Sequence, residues 1–164
     1  MPDYCLALAV GAGIFILIAL FAIADRRKSL NPTPSAKEIK ENATTVERLF
    51  DYTKFHITVY TTLATLLVAA ASDYMNSTFV PSLVYIRAAV VAILGAGLAA
   101  GVVAASMPEG AGKVKVWDWR TGPYNWHVMS IRSWTFVEHT SFWVAAVLAL
   151  LAFATGKHVG PQKQ

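Results

Sequence analysis

Four long apolar runs separated by polar segments dominate the sequence. With the flanks that each run needs to cross a bilayer, the predicted spans are about residues 4–24, 53–72, 84–107 and 134–155. Roughly 20 apolar residues are enough, because a helix rises about 1.5 Å per residue and the hydrocarbon layer is ~30 Å thick. Lipid offers no hydrogen-bond partner to exposed backbone, and none of the runs shows the period-2 alternation of membrane strands. The pattern predicts an all-α integral membrane protein, a bundle of four transmembrane helices.

The basic residues between these runs predict the orientation. Lys and Arg concentrate in the two long loops, 25–52 and 108–133, whereas residues 1–3 and the short turn 73–82 contain neither. The positive-inside rule therefore predicts two cytoplasmic loops and both termini on the outer side. We interpret residues 1–164 as one membrane domain and expect it in a bacterial inner (plasma) membrane. The net charge of +4 fits this topology and contact with anionic lipid, so we expect no nucleic-acid partner.

Composition sets further limits. With 55% hydrophobic and 15% charged residues, the chain is too apolar for an ordinary soluble domain. Cys5 is the only cysteine, so no intrachain disulfide can form, and we expect a buried, inert thiol.

Arg87 interrupts the third run close to its start. The run is long enough without it, so we expect Arg87 at the outer interface, paired with Asp73 or with lipid phosphate.

Small residues at steps of four predict close helix packing. The third run contains a GxxxG at Gly97 and Gly101, with Ala96 and Ala100 in the same segment, and Gly13 lies at the same kind of spacing in the first run. Small side chains let helix backbones approach, which is a main source of helix association in lipid. The partner of this surface is either another helix of the same bundle or a helix of a second chain.

The second long loop is rich in aromatic residues. Residues 113–120 alternate with a period of two, and a Gly-Pro turn follows, so we expect a hairpin. The loop contains Trp117, Trp119 and Trp126 beside Arg120. Indole rings favour the headgroup region of a bilayer, so one interpretation is an interfacial flap. The other is a docking surface, because interfaces are enriched in aromatic residues and arginine.

Two histidines are predicted to lie at one level of the bundle. His56 precedes Asp73 by 17 residues and His139 precedes Lys157 by 18. At ~1.5 Å per residue, both lie about 25–27 Å from the outer boundary. Paired histidines on two helices could ligate haem b iron, or a metal ion with Glu138 assisting. Histidines at a membrane boundary also serve as simple polar anchors.

No nucleophile motif, phosphate-binding loop or metalloprotease motif is present. The leading hypothesis is therefore a non-catalytic subunit or assembly factor of a membrane complex, without a cofactor. Its partners would be the bilayer and another membrane protein or a second copy of the chain. The first alternative is a haem-binding or redox membrane protein using His56 and His139. The second is a small transporter or channel lined by a threonine stripe on the second run, Thr58, Thr61, Thr62 and Thr65.

Overall fold

The fold is an assembly of four long helices. A computed structural model describes residues 4–26, 36–72, 79–110 and 116–158. The helices are α1 (Cys5–Arg26), α2 (Ala36–Ser72), α3 (Leu83–Gly110) and α4 (Ile131–Ala154). The expected four helices, each long and apolar enough to cross a membrane, are confirmed. The boundaries agree with the predicted spans to within a few residues, except at the start of α2.

Helix α2 is longer than the predicted second span. It has 37 residues, about 55 Å at the usual rise, which exceeds the thickness of the hydrocarbon layer. Residues 36–52, which were predicted as part of the first long loop, and the apolar run after them form one continuous helix. Its part that is apolar enough to cross a membrane is Ala43–Ala71.

Two short antiparallel strand pairs close the ends of the bundle. Strands β1 (Phe79–Val80) and β4 (Lys157–His158) pair at one end, where the chain enters α3 and leaves α4. Strands β2 (Arg120–Thr121) and β3 (Met129–Ser130) pair at the other end, immediately before α4. We call the first the strand end and the second the loop end.

Helix α3 is the centre of the bundle, and the other three helices pack against it. Its buried face consists largely of alanines that are fully inaccessible, namely Ala88, Ala89, Ala92, Ala96 and Ala100. Methyl side chains let neighbouring backbones approach closely, so this face can take helices on both sides. Tyr60 of α2 and Leu148 of α4 belong to the same core cluster.

Contacts at the two ends show that successive helices alternate in direction. At the strand end, the guanidinium of Arg87 lies 4.7 Å from the ring centre of Tyr4. At the loop end, Asp25 hydrogen-bonds residues at the start of α4. Arg87 therefore lies at an end of the bundle, as expected, but its described partner is an aromatic ring. Asp73, the predicted partner, is outside the described residues.

Two local expectations were wrong. Cys5 was expected to be buried, but it is exposed at the first turn of α1, on the outside of the bundle. The alternating segment 113–120 was expected to be one arm of the hairpin. Within its described part, Val116–Asp118 forms a 3-10 turn, and only Arg120–Thr121 pairs as a strand. Val116 is buried against the bundle, which explains why a turn replaces the strand there.

Candidate functional site

The candidate site is a cluster of polar and aromatic side chains between α2 and α4. The two helices approach each other closely along little of their length, because both pack mainly on α3. Long side chains bridge the remaining gap. Tyr52, His56 and Tyr60 follow one another at steps of four, which places them on one face of α2. Glu138 and His139 reach them from α4.

Glu138 forms the buried half of the cluster. Its side chain is 1% exposed. One carboxylate oxygen, Oε1, lies 2.8 Å from Nδ1 of His56 and accepts a hydrogen bond from the Tyr60 hydroxyl at 2.9 Å. A carboxylate removed from water needs such donors, because leaving it unpaired costs several kcal/mol, of the order of 3–5. His56 and Tyr60 therefore stabilise Glu138 in the interior.

His139 forms the more accessible half. Its Nδ1 lies 2.7 Å from the backbone carbonyl oxygen of Thr135, one turn earlier in α4. Its Nε2 lies 2.6 Å from the Tyr52 hydroxyl. A carbonyl oxygen only accepts, so Nδ1 is the protonated nitrogen of His139, and Nε2 accepts from Tyr52 when the ring is neutral.

The two halves meet through their rings. The ring centres of His56 and His139 are 5.7 Å apart, and those of Tyr52 and His56 are 3.9 Å apart. Tyr52 thus contacts both imidazoles. The sequence placed the two histidines at one level, and the structure places their rings side by side.

Both imidazoles are held through Nδ1. His56 uses Nδ1 for the Glu138 carboxylate, and His139 uses Nδ1 for a backbone carbonyl. With Nδ1 protonated, the lone pair of each neutral ring is on Nε2. Histidines that bind metals are usually arranged in this way, with the second nitrogen donating to a carboxylate or carbonyl that fixes the ring. The lone pairs of both neutral rings are thus on Nε2, and that of His139 accepts a hydrogen bond from the Tyr52 hydroxyl.

Glu138 lies well inside a helix that is apolar enough to cross a membrane. It is the eighth residue of α4, about 10 Å along the axis from the start of the helix. Ionisable groups at such depth are costly and mark functional sites by default. In the structure Glu138 contacts His56 directly, through Nδ1 of the imidazole.

A metal ion would have few protein ligands here. Within the described ranges, no group of three or more His, Cys, Asp or Glu side chains is close enough to hold a metal ion. The available donors are Nε2 of His56, Nε2 of His139 and the hydroxyl of Tyr52. The Tyr52 hydroxyl occupies Nε2 of His139, so haem iron could bind this nitrogen only after the phenol moves away.

A second polar cluster lies at the loop end. The Asp25 carboxylate, in a residue that is 1% exposed, accepts hydrogen bonds from the backbone N–H of Ser130 and the hydroxyl of Ser133, both at 2.7 Å. Arg120 donates to the backbone carbonyl of Asp25. These bonds tie the end of α1 to the hairpin and to the first turn of α4. In the sequence, Asp25 is simply the first residue of the loop that follows the first apolar run.

The predicted docking residues differ in exposure. Arg120 is occupied by its contact with Asp25, and Trp119 is half-buried against the loop-end core. Trp117 and Trp126 are exposed. The loop is thus packed onto the bundle, and only part of the predicted aromatic surface is accessible.

The predicted packing residues also divide into two groups. Ala96 and Ala100 are fully buried in the core. At Gly97, Gly101 and Gly13, an added methyl group would contact no atom within 4 Å. Within the described chain, the alanines mediate the packing of α3, and the GxxxG glycines face an open groove.

The threonine stripe does not line a polar path through the bundle. The hydroxyls of Thr58, Thr61, Thr62 and Thr65 each donate to the backbone carbonyl four residues earlier. These hydroxyls are exposed on the outside of α2 and are already satisfied by their own helix. Thr61 and Thr65 also line an open groove between α2 and α3.

Tyr52 and Tyr60 are the site residues that the sequence analysis missed. The available signal was the step of four that connects them through His56, combined with the need of a buried carboxylate for donors.

Comparison with protein-family models, with curated proteins and with solved structures found no match to this chain.

Proposed function

We propose that this chain is a membrane redox protein that binds a transition-metal ion between α2 and α4. The ligands would be Nε2 of His56, Nε2 of His139 and the phenolic oxygen of Tyr52. The observation that carries the proposal is the matched hydrogen bonding of the two imidazoles. Each donates Nδ1–H to an oxygen, which leaves the lone pair of the neutral ring on Nε2.

The donor atoms determine which metal ions the site would favour. Two imidazoles and a phenol form a nitrogen–oxygen set that suits copper or iron, as well as zinc. Copper and iron change oxidation state, and a phenolate would favour the oxidised ion because it is anionic. In this arrangement Glu138 is an outer-sphere residue that orients His56 and raises its basicity.

Tyr52 would have two positions. In the structure its hydroxyl occupies Nε2 of His139, so the site is closed by a hydrogen bond. Metal binding would replace this bond, and Tyr52 would either join the ligands or move aside. A porphyrin would require Tyr52 to move aside completely, because its ring lies against both imidazoles.

The experiment is metal reconstitution of the purified chain in detergent. We expect Cu(II) or Fe(III) to bind at about one ion per chain, with a phenolate charge-transfer absorption that disappears in Tyr52→Phe. His56→Ala and His139→Ala should each remove the bound ion. Glu138→Gln should weaken binding by about 10–100-fold, the usual effect of losing an outer-sphere partner.

His127→Ala is the matched control, because His127 lies in the loop and its Nδ1 contacts only the backbone carbonyl of Arg120. This variant should bind metal like the parent. Equal binding by the parent and by both site variants would exclude the proposal. A Soret band that appears after addition of haemin and is lost in His139→Ala would show that this histidine binds haem iron and not a free metal ion.

We also propose the orientation and location that the basic loops suggest. The loop end would face the cytoplasm and the strand end the outside of a bacterial inner membrane. The distribution of Lys and Arg supports this orientation. The polar cluster would then lie near the inner boundary of the bilayer.

A role as a subunit of a membrane complex is a second candidate. It is supported by the open groove between α2 and α3, of about 690 Å³, which is lined by Gly97, Gly101 and Leu98. Small residues that face no neighbour in the chain leave a surface that a further helix can approach closely. Cross-linking in native membranes followed by detergent extraction would test this role. Recovery of the monomer alone would argue against it.

A further inference from the structure

A cavity beside His139 has the properties of a binding site for a small ring-shaped molecule. It has a volume of about 500 Å³ and lies at the loop end between α2 and α4. Leu49 and Trp117 contribute apolar wall, and the hydrogen-bonded Tyr52–His139 pair also lines the cavity. A volume in this range and mostly apolar walls with a few polar groups are typical of sites for small organic ligands.

The polar groups of the cavity favour oxygen atoms. Arg48 is the only residue with a formal charge that lines it within the described part of the chain, and no carboxylate does so. Arginine is a multiple donor that cannot accept, so it favours a carbonyl oxygen or an anion. Tyr52 and His139 form a hydrogen-bonded pair that can exchange its partner for a ligand oxygen. The lining thus combines the Arg48 guanidinium and the Tyr52–His139 pair with the indole of Trp117.

We infer that this cavity binds the head group of a quinone or quinol. Quinone head groups are apolar rings with an oxygen on opposite sides, they dissolve in the bilayer, and they exchange protons when their redox state changes. The Tyr52 hydroxyl and the His139 imidazole line the cavity, and both groups can hydrogen-bond a quinone oxygen. A phospholipid head group would share the preference for Arg48 but would have no use for an aromatic wall.

This inference names the substrate class for the proposed redox function and shares Tyr52 and His139 with it. The quinone inference and the proposed metal site can fail separately, because quinone binding is measured on the whole chain with a chelator present and no metal bound. The probe is a short-tailed benzoquinone, and the readout is quenching of tryptophan fluorescence in detergent. We expect saturable quenching that is strongly reduced in Trp117→Phe and retained in Trp126→Phe, since Trp126 does not line the cavity.

Arg48→Gln tests the oxygen-binding side. It should weaken quinone binding roughly tenfold, the effect expected for loss of a hydrogen bond to a charged donor. Lys54→Gln is the matched control on the same helix, because Lys54 lies over the Phe50 ring and does not line the cavity. Thr135→Leu places a larger side chain in the cavity and should abolish binding without removing a charge.

Two results would overturn the inference. One is quenching that does not saturate, or that is equal in the parent, Arg48→Gln and Thr135→Leu, which indicates simple partition into the micelle. The other is displacement by phosphatidylglycerol without specific quinone binding, which would assign the cavity to a lipid head group. Melting curves of each variant identify loss of fold, and only variants that melt like the parent are compared.

Discussion

At the scale of single residues, the buried carboxylates organise the molecule. Asp25 and Glu138 are each 1% exposed, and both accept hydrogen bonds from residues of other helices or loops. Burying an ionised group is favourable only when such donors are present. Each carboxylate therefore determines the position of a neighbouring segment. Asp25 fixes the start of α4, and Glu138 fixes His56 of α2.

Asp25→Ala should destabilise the bundle. The substitution leaves the Ser130 N–H and the Ser133 hydroxyl without their acceptor in the interior, at a cost of about 2–3 kcal/mol. We expect a clearly lower melting temperature in detergent. Asp118→Ala is the control, because Asp118 pairs with Arg132 at 3.7 Å on the exposed surface. Such pairs contribute about 0–1 kcal/mol, and a similar loss in both variants would show that Asp25 has no special role.

At the scale of elements, the helices could be predicted, but their facing could not. Runs of apolar residues determine which segments are helical in lipid, because the backbone has no other way to satisfy its hydrogen bonds. The choice of face depends on packing between residues distant in sequence. Gly97 and Gly101 form the conspicuous motif of α3, yet the buried face carries the alanines. A glycine that does approach another helix, Gly95, lies outside the GxxxG.

Substitution by leucine should destabilise the bundle at Gly95 but should be tolerated at Gly97, two residues later in α3. A methyl group at Gly95 would lie 2.9 Å from Cδ1 of Ile14 and 3.8 Å from the Ser141 hydroxyl, whereas one at Gly97 would contact nothing. Gly95→Leu should therefore separate α1 from α3 and lower the melting temperature of the monomer. Gly97→Leu and Gly101→Leu should leave it unchanged.

Size-exclusion chromatography of these variants extends the comparison to assembly. A change in oligomeric state for Gly97→Leu, with unchanged monomer stability, would assign the GxxxG to contact between chains. Equal destabilisation at positions 95 and 97 would mean that α3 has a different rotation about its axis from the one described.

The candidate site, too, could be predicted only in part. The level of His56 and His139 followed from counting residues along helices, because the rise per residue is constant. The hydrogen bonds between the helices did not follow, since Tyr52 meets His139 and Tyr60 meets Glu138 only once α2 and α4 are both oriented on α3. Asp25 was equally hidden, because its partners Ser130 and Ser133 lie more than 100 residues later.

At the scale of the whole molecule, four alternating helices place both described ends of the chain together. Tyr4 of α1, Arg87 of α3 and the β1–β4 pair lie at the strand end, and the basic loops lead to the other end. Positive charge retained on the cytoplasmic side would fix the orientation of the whole bundle, because the helices cannot reverse individually. The proposed metal site and the proposed quinone cavity would then both open near the inner boundary.

Cysteine labelling in intact cells tests this orientation. The native Cys5 is exposed at the strand end, so an impermeant thiol reagent should label it from outside. In a Cys5→Ala background, Tyr124→Cys should resist the reagent until the membrane is permeabilised, because Tyr124 is 92% exposed at the loop end. Gly122 is a poor labelling site, since a side chain there would meet the Trp126 carbonyl oxygen at 2.3 Å. Labelling of Tyr124→Cys from outside, with Cys5 protected, would reverse the bundle and move the His56–His139 cluster to the outer boundary.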